Sequence, residues 1–328
     1  MSRALLPLVP LYAAAVSAKN LAYARGWSHP HRLRNPVVSI GNLSVGGSGK
    51  TPLTIRLAEL LREQGIAVDV LSRGYGRRSQ EVLQVNTAGP WVDFGDEPLL
   101  IAQQAQVPVY VAPSRYEAGL LAERHSPAPA VHLLDDGFQH RQLARDVDIV
   151  VLHRSDFTTR LLPAGRLREP LASLARAHIL VLRAEDRDLE SQLRLRGIHQ
   201  PIWWVHRQLE VPAIHQVVAF CAIARPDEFF DGLRSHGLSL AATRSWRDHH
   251  RFTSADIAEL TELQRVHGAE AFLTTGKDLI RLSPDQRRAL ESAAPLHAVR
   301  LTARLDDEPS AIAQLLALLT PAATPKTR

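Results

Sequence analysis

Residues 37–65 read VVSIGNLSVGGSGKTPLTIRLAELLREQG, a β-branched run that passes through a glycine loop into a helical pattern stopped by Gly65. Few folds accept that order. A buried strand must deliver the chain to a turn free of Cβ clashes, and a helix must begin at once. Such a turn points backbone N–H groups and the positive end of a helix at one spot, which suits a phosphate.

The residues that would line the cradle are Gly46, Gly47, Ser48, Gly49, Lys50 and Thr51. The P-loop pattern G-x-x-x-x-G-K-[ST] is met except at its first position, where Ser44 replaces glycine. Strand and helix context supports nucleotide binding in spite of that departure. Of 39 basic residues only Lys19, Lys50, Lys277 and Lys326 are lysine, so an ammonium inside GSGKT stands out in an arginine-rich chain. Lys50 would reach the β- and γ-phosphates of ATP, and the Thr51 hydroxyl would ligate Mg²⁺.

Short β-branched runs recur at 67–71, 81–85, 107–112, 130–134, 147–152 and 178–183, with helical patterns between them. This alternation predicts an α/β fold of P-loop type, with a mostly parallel sheet flanked by helices. The character changes near 201–216, and further strands are expected near 217–223, 238–243, 270–274 and 297–302, with a helix at 309–319. The domains expected are an N-terminal helix (1–26), a P-loop domain (27–210), a smaller C-terminal α/β domain (211–320) and a disordered tail (321–328).

The apolar run 4–18 is shorter than the roughly 20 residues that span a bilayer. It reads as a helix lying in a membrane interface, with Lys19, Arg25, Arg32 and Arg34 placed to meet anionic headgroups. A helix packed on the protein's own core and a signal peptide are the competing readings. The net charge of +5 suits nucleic acid, anionic lipid or phosphorylated substrates. The cations are scattered and not interleaved with aromatics, which disfavours nucleic acid. Cys221 is the single cysteine, so an intrachain disulfide and a cysteine zinc cluster are both excluded.

Other segments carry candidate chemistry. VHLLDDGFQH (131–140) is an apolar strand ending in Asp135 and Asp136, where a carboxylate would hold Mg²⁺. FGDEP (94–98) sets Asp96 and Glu97 before a proline, in an extended or turning segment; it is a base or metal site, or a solvated loop. SWRDHHRF (245–252) offers His249 and His250 beside Asp248, as an acid–base group or a polar loop. Arg73 and Arg168 lie in glycine-containing arginine loops that suit anions. A guanine-specifying N-K-x-D is absent, which weighs against GTP.

Taken in order, GNLSVGGSGKTP, SRGYGR, GDEP, DDGFQH, LREP and DHH resemble the tetraacyldisaccharide 4'-kinase family of lipid A biosynthesis, over about residues 1–280. Ser44 then fits, because the loop of that family looks like GNxxxGGxGKTP. The resemblance implies transfer of the ATP γ-phosphate to the 4'-hydroxyl of an acylated glucosamine disaccharide 1-phosphate, at the cytoplasmic face of the bacterial inner membrane. Lys50 would neutralise phosphate, while Thr51, Glu97 and an Asp of the 135–136 pair would hold Mg²⁺. Asp96 would be the general base, working with His249 in preference to His250. Arg73, Tyr75, Arg115, Gln139 and Arg168 would contact nucleotide or lipid headgroup. One departure is CAIARPDEF (221–229), where the family carries a stretch like G-I-G-N-P; Ala222, Ala224 and Arg225 put a close ligand approach there in doubt.

Besides a nucleic-acid-dependent ATPase, which nucleic acid would stimulate, two rivals remain at this level. One is a P-loop kinase of a soluble small molecule. The other is a membrane-associated regulatory ATPase, against which Val45 counts, since such loops often carry lysine at that place. No obligate protein partner is evident.

Overall fold

The computed structural model describes residues 3–126 and 130–320; the tail expected to be disordered, 321–328, lies outside them. A short 3₁₀ turn leads into α1 (Val9–Ala24). Then follow β1 (Val37–Asn42), α2 (Lys50–Glu63), β2 (Val68–Ser72), β3 (Leu83–Gln84), α3 (Trp91–Phe94), α4 (Asp96–Ala105) and β4 (Val109–Val111). Next come α5 (Arg115–His125), β5 (Val131–Asp135), β6 (Val147–Val151), β7 (Ile179–Arg183), α6 (Leu189–Leu195) and β8 (Ile202–Glu210). The chain continues through β9 (Gln216–Cys221), α7 (Pro226–Ser235), β10 (Ser239–Ser245), α8 (Ser254–His267) and β11 (Ala271–Thr275). It closes with α9 (Gly276–Arg281), α10 (Pro284–Ala293), β12 (Leu296–Leu305) and α11 (Glu308–Leu319).

The strands form one sheet in the order β10-β9-β11-β12-β8-β7-β6-β1-β5-β2-β4-β3. Neighbours are parallel except at β3–β4 and β8–β12. Central parallel strands carry helices on both faces, which explains why all six residues of β1 are buried. The antiparallel seam divides two parallel blocks: β8 leaves the glycine-loop block and β12 returns to it, paired from Arg300↔Glu210 to Leu305↔Val205.

The return is deep. Ala303, Leu305, Ala311, Ile312 and Leu315 share one core with Val38, Leu53 and Leu57. Arg56 of α2 holds Glu308 through two bonds of 2.8 and 2.9 Å, so α11 is tied to the glycine-loop block. The chain between 211 and about 302 has its own core around Phe220, Phe272 and Leu260.

Three expectations change in detail. The strand at 81–85 shrinks to Leu83–Gln84 at the sheet edge. Asp96 and Glu97 form the first turn of α4 rather than an extended or turning segment ahead of a helix; Pro98 is tolerated there, where a missing N–H costs no helical bond. The apolar N-terminal run extends as a helical segment over Leu5–Ala24, 20 residues and therefore of spanning length. None of the residues of α1 is buried, so it is not a core helix.

What holds α1 is polar. The Tyr12 hydroxyl donates to the Arg168 carbonyl at 3.0 Å, and Asn20 Nδ2 donates to Glu169 at 2.9 Å. Lys19 donates to the Gln139 carbonyl at 3.1 Å. Leu8, Leu11 and Leu21 remain exposed.

Candidate active site

The glycine loop turns as its residues require. Gly46 and Gly49 both sit at φ +93°, a backbone region that side chains resist, and a Cβ on Gly46 would come within 2.1 Å of Arg166. Ser44 takes no part in the turn. It forms a bridge to Leu167, and the chain there binds the LREP segment, with Val45 N–H donating to Arg166 O at 2.8 Å and Arg168 N–H to Leu43 O at 2.6 Å.

A cleft of about 910 Å³ opens between the two blocks, lined by the glycine loop on one side and α7, His249 and Lys277 on the other. Arg73, Tyr75, Glu97, Arg115, Asp135, Asp136 and Arg168 line it too, as does Thr51. The structure thus gathers residues separated by some 200 positions. Gln139 is the exception among the expected contacts: it does not line the cleft but donates to the Asn42 carbonyl at 2.9 Å and holds the end of β1.

Lys50 reaches Asn42 Oδ1 at 3.0 Å and Asp136 at 3.4 Å. Arg168 grips Asp136 with two bonds of 2.8 and 2.9 Å and also meets Asn42 Oδ1. Burial alone would raise the Asp136 pKa, but Lys50 and Arg168 hold it well below the usual carboxylate range. Asp135 differs. Its Oδ2 accepts from Ser72 at 3.3 Å, while Oδ1 is sealed from solvent with no donor. Burial, with Glu97 and Asp136 nearby, pushes its pKa up to about 7.

Asp96 is only 1% exposed and lies behind the cleft wall. Arg281 Nε donates to its Oδ2 at 2.6 Å, and His249 Nδ1 lies 3.1 Å from the same oxygen. Burial is outweighed by these bonds, and the Asp96 carboxyl is held far below its ordinary value. In return the hydrogen bond to Asp96 raises the His249 pKa. Arg281 is itself aimed by Asp278 at 3.1 Å and by the Ala222 carbonyl at 2.8 Å. That carbonyl also accepts from the His249 N–H at 3.3 Å, so Ala222 of the divergent loop has a defined task as backbone.

His249 adopts φ +60°, a conformation that costs a non-glycine residue about 1 kcal/mol and is kept where the surroundings enforce it. The Tyr75 ring lies 5.2 Å from its ring. His250 points elsewhere, to Asp256 at 2.9 Å, with its ring stacked on Trp246. The two adjacent histidines are thereby separated.

Glu97 pairs with Lys277, whose charge lowers the Glu97 pKa. Among the described residues no group of three or more His, Cys, Asp and Glu is spaced to hold a metal. Asp135 is the carboxylate that fits a divalent cation, because its Oδ1 has no partner, and Thr51, at the start of α2, lines the same cleft. Arg115, buried in the cleft, has its pKa pushed down to about 10 by desolvation.

Sequence reasoning did not assign Asn42, Arg281 or Asp278 a role. A polar residue ending a fully buried strand was the available signal for Asn42. Lys277 was visible as a rare lysine. Nothing local marks Arg281 among so many arginines.

The family model for tetraacyldisaccharide-1-P 4'-kinase, LpxK, matches residues 1–320. The tetraacyldisaccharide 4'-kinase of Koribacter versatilis is 44% identical over 325 residues, covering 95% of this chain and 98% of that one. The Aquifex aeolicus enzyme of the same name is 38% identical over 296 residues, covering 85% and 89%. A crystal structure of LpxK from Aquifex aeolicus in complex with ATP superposes with TM-score 0.77 at 33% identity, over 97% of this chain and 99% of that one. Matched along its length in sequence and in fold, the chain belongs to the tetraacyldisaccharide 4'-kinase family.

Proposed function

We infer that this chain is an ATP-dependent kinase that moves the γ-phosphate of ATP to the 4'-hydroxyl of a tetraacylated glucosamine disaccharide 1-phosphate in lipid A biosynthesis. The observation that carries the reading is the junction of Lys50, Asn42, Asp136 and Arg168 at the glycine loop, opposite the Asp96–His249 pair across one cleft.

Phosphoryl transfer asks a protein mainly for positioning and charge neutralisation. The glycine-loop N–H groups and Lys50 hold the phosphate chain, and Asn42 and Asp136 keep the ammonium in place. Mg²⁺ held by Thr51 and Asp135 would neutralise charge on the phosphate oxygens and would supply the partner that Asp135 Oδ1 lacks. His249 faces the cleft and Asp96 does not, so the acceptor proton passes to His249 late in the step. Asp96, fixed by Arg281, holds Nδ1–H and stabilises the imidazolium that forms. This order differs from the expectation that Asp96 meets the hydroxyl itself.

The exposed apolar side of α1, with Trp27 71% exposed close to its end, supports binding at a membrane surface. Its polar side grips the loops carrying Gln139 and Arg168, which would bring an acylated acceptor to the cleft mouth. Co-sedimentation with anionic vesicles, compared with a Leu8→Ser/Leu11→Ser variant, checks this. Binding that survives in the variant would count against a surface role for α1.

The test of the reaction is transfer of labelled γ-phosphate from ATP to the acylated disaccharide 1-phosphate in mixed micelles. Wild type should transfer label, and Lys50→Ala and Asp96→Ala should each lose at least about tenfold, roughly 1.4 kcal/mol of barrier. A wild type that binds ATP yet transfers nothing would sink the lipid-kinase reading.

A further inference from the structure

On the β6 side of the glycine loop, away from Asp136, three guanidinium groups converge on one carboxylate. Arg183 ends β7, Arg207 lies in β8, Arg225 precedes α7, and Glu228 sits in the first turn of α7. Arg183 pairs with Glu228 Oε2, Arg207 Nη1 lies 3.3 Å from that oxygen, and Arg225 Nη1 lies 3.0 Å from Oε1. The other acid nearby, Glu185, is 3.7 Å from Arg183 with its side chain 64% exposed. One shielded carboxylate faces three cations.

Arg225 is accounted for within the fold. It also reaches His153 Nε2 at 2.8 Å and Ser155 Oγ at 3.2 Å, so it fastens the start of α7 to the loop after β6. That contact gives the divergent CAIARP loop a structural purpose. Among the described residues Arg207 bonds only Glu228. Its Nε, like that of Arg225, is sealed from solvent with no acceptor, and it lies 3.9 Å from where a Cβ on Gly49 would stand. Burial, then repulsion from Arg183, lowers its pKa, so the charge is held at a cost that a further anion would relieve.

The anion that fits lies against the backbone of Gly49, on the flank opposite Lys50. We propose that Arg207 is a nucleotide-phosphate contact supplied by the strand joining the two blocks, and that the phosphate chain of ATP competes with Glu228 for its guanidinium. The proposal rests on the ATP-dependent kinase reading and adds a residue to it. Lys50, turned toward Asn42 and Asp136, serves the transferred end of the chain; Arg207 serves the end nearer the nucleoside. A contact of that kind is felt equally before and during transfer, so it acts on KM for ATP and spares kcat.

The experiment is calorimetric titration of the full chain with ADP, alongside steady-state kinetics in mixed micelles, for wild type, Arg207→Met, Arg207→Lys and Glu228→Gln. Arg207→Met should raise the ADP Kd at least about tenfold and raise KM for ATP, with kcat within about threefold of wild type. Arg207→Lys should recover part of the loss. Glu228→Gln removes the competitor and should bind ADP no more weakly than wild type, and up to about fivefold more tightly. A cluster that only braces the fold gives another pattern, in which Arg207→Met and Glu228→Gln weaken ADP alike. That pattern, or an Arg207→Met that binds as wild type does, overturns the assignment and leaves the kinase reading intact. A wild type that binds no ADP overturns both. Should Arg207→Met fail to fold, the sign of the Glu228→Gln change decides.

Discussion

Asp96–Glu97 and Asp135–Asp136 are both adjacent carboxylates at one cleft, all but Asp96 lining it, yet they stand in opposite conditions. Asp96 is met by Arg281 and His249, and Glu97 by Lys277. Asp136 is met by Lys50 and Arg168, while Asp135 has only a serine hydroxyl at 3.3 Å. Three of the four have a cation supplied by the chain. Asp135 is the one left without a cation from the chain, which sets the pair met by Arg281 and Lys277 apart from the pair beside the glycine loop.

The largest effect should follow from breaking the first pair. Asp96→Ala should lower kcat by about 10³, within the range for a positioned acid–base group. It should also cost about 3 kcal/mol of stability in denaturant titration, because buried Arg281 is left with Asp278 as its one charged partner. Asp96→Ala combined with Arg281→Met should regain part of that stability, Asp278 keeping the Ala222 N–H and the Thr275 hydroxyl, without regaining turnover. A double variant as slow to recover stability as the single one would show that the ion pair is not the source of the loss.

The second pair is sharpened by metal. Mg²⁺ should raise the wild-type Tm, and Asp135→Asn should abolish the rise and cost about 10²-fold in kcat. Glu97→Gln should retain the rise, since Lys277 already neutralises Glu97. Loss of the rise in Glu97→Gln instead would place the cation between the two pairs.

A pH profile probes the coupling between Asp96 and His249. The raised His249 pKa means the imidazole is neutral, and able to take a proton, only above the ordinary range near 6.5. The acid limb of kcat should therefore lie above that range, falling about tenfold per pH unit, and Asp96→Asn should move it down. By linkage, the same bond stabilises the fold fully below the ordinary imidazole pKa and is lost as pH rises through the raised one. The smallest effect belongs to the neighbouring histidine: His250→Ala should change kcat less than about twofold and lower stability by about 1 kcal/mol, through its bond to Asp256. A tenfold loss of kcat would show that the two histidines are not functionally distinct.

Much of this site was legible because its residues lie in short runs whose chemistry depends on spacing. Lys50 and Thr51 follow a glycine turn, and Asp135 and Asp136 end a buried strand. The choice between His249 and His250 was not readable from spacing, since it turns on one left-handed backbone angle. Arg281 and Asp278 act through the tertiary fold, 185 positions from Asp96 in the case of Arg281, and no local pattern marks them. Gln139 shows the converse: it sits in a motif full of candidate site residues, but its side chain turns back to the end of β1. The antiparallel seam was invisible for a similar reason. β8 stands out by its tryptophans and its alternation of buried and exposed residues, but that pattern does not say which strand it pairs with, and its direction relative to β12 is set by where the chain goes afterwards.

That seam also bears on how the chain is made. Leu53 and Leu57 of α2 complete their packing against Ala303, Leu305, Ala311, Ile312 and Leu315, which emerge from the ribosome some 250 residues later. A nascent chain that has delivered the glycine loop and its strands still shows an open apolar face, and the intervening block must be synthesised before that face can close. Release of a truncated product lacking 303–319 would leave an aggregation-prone species carrying an intact phosphate-binding motif, so vectorial synthesis makes the last helix the step at which the first-made half becomes a folded enzyme.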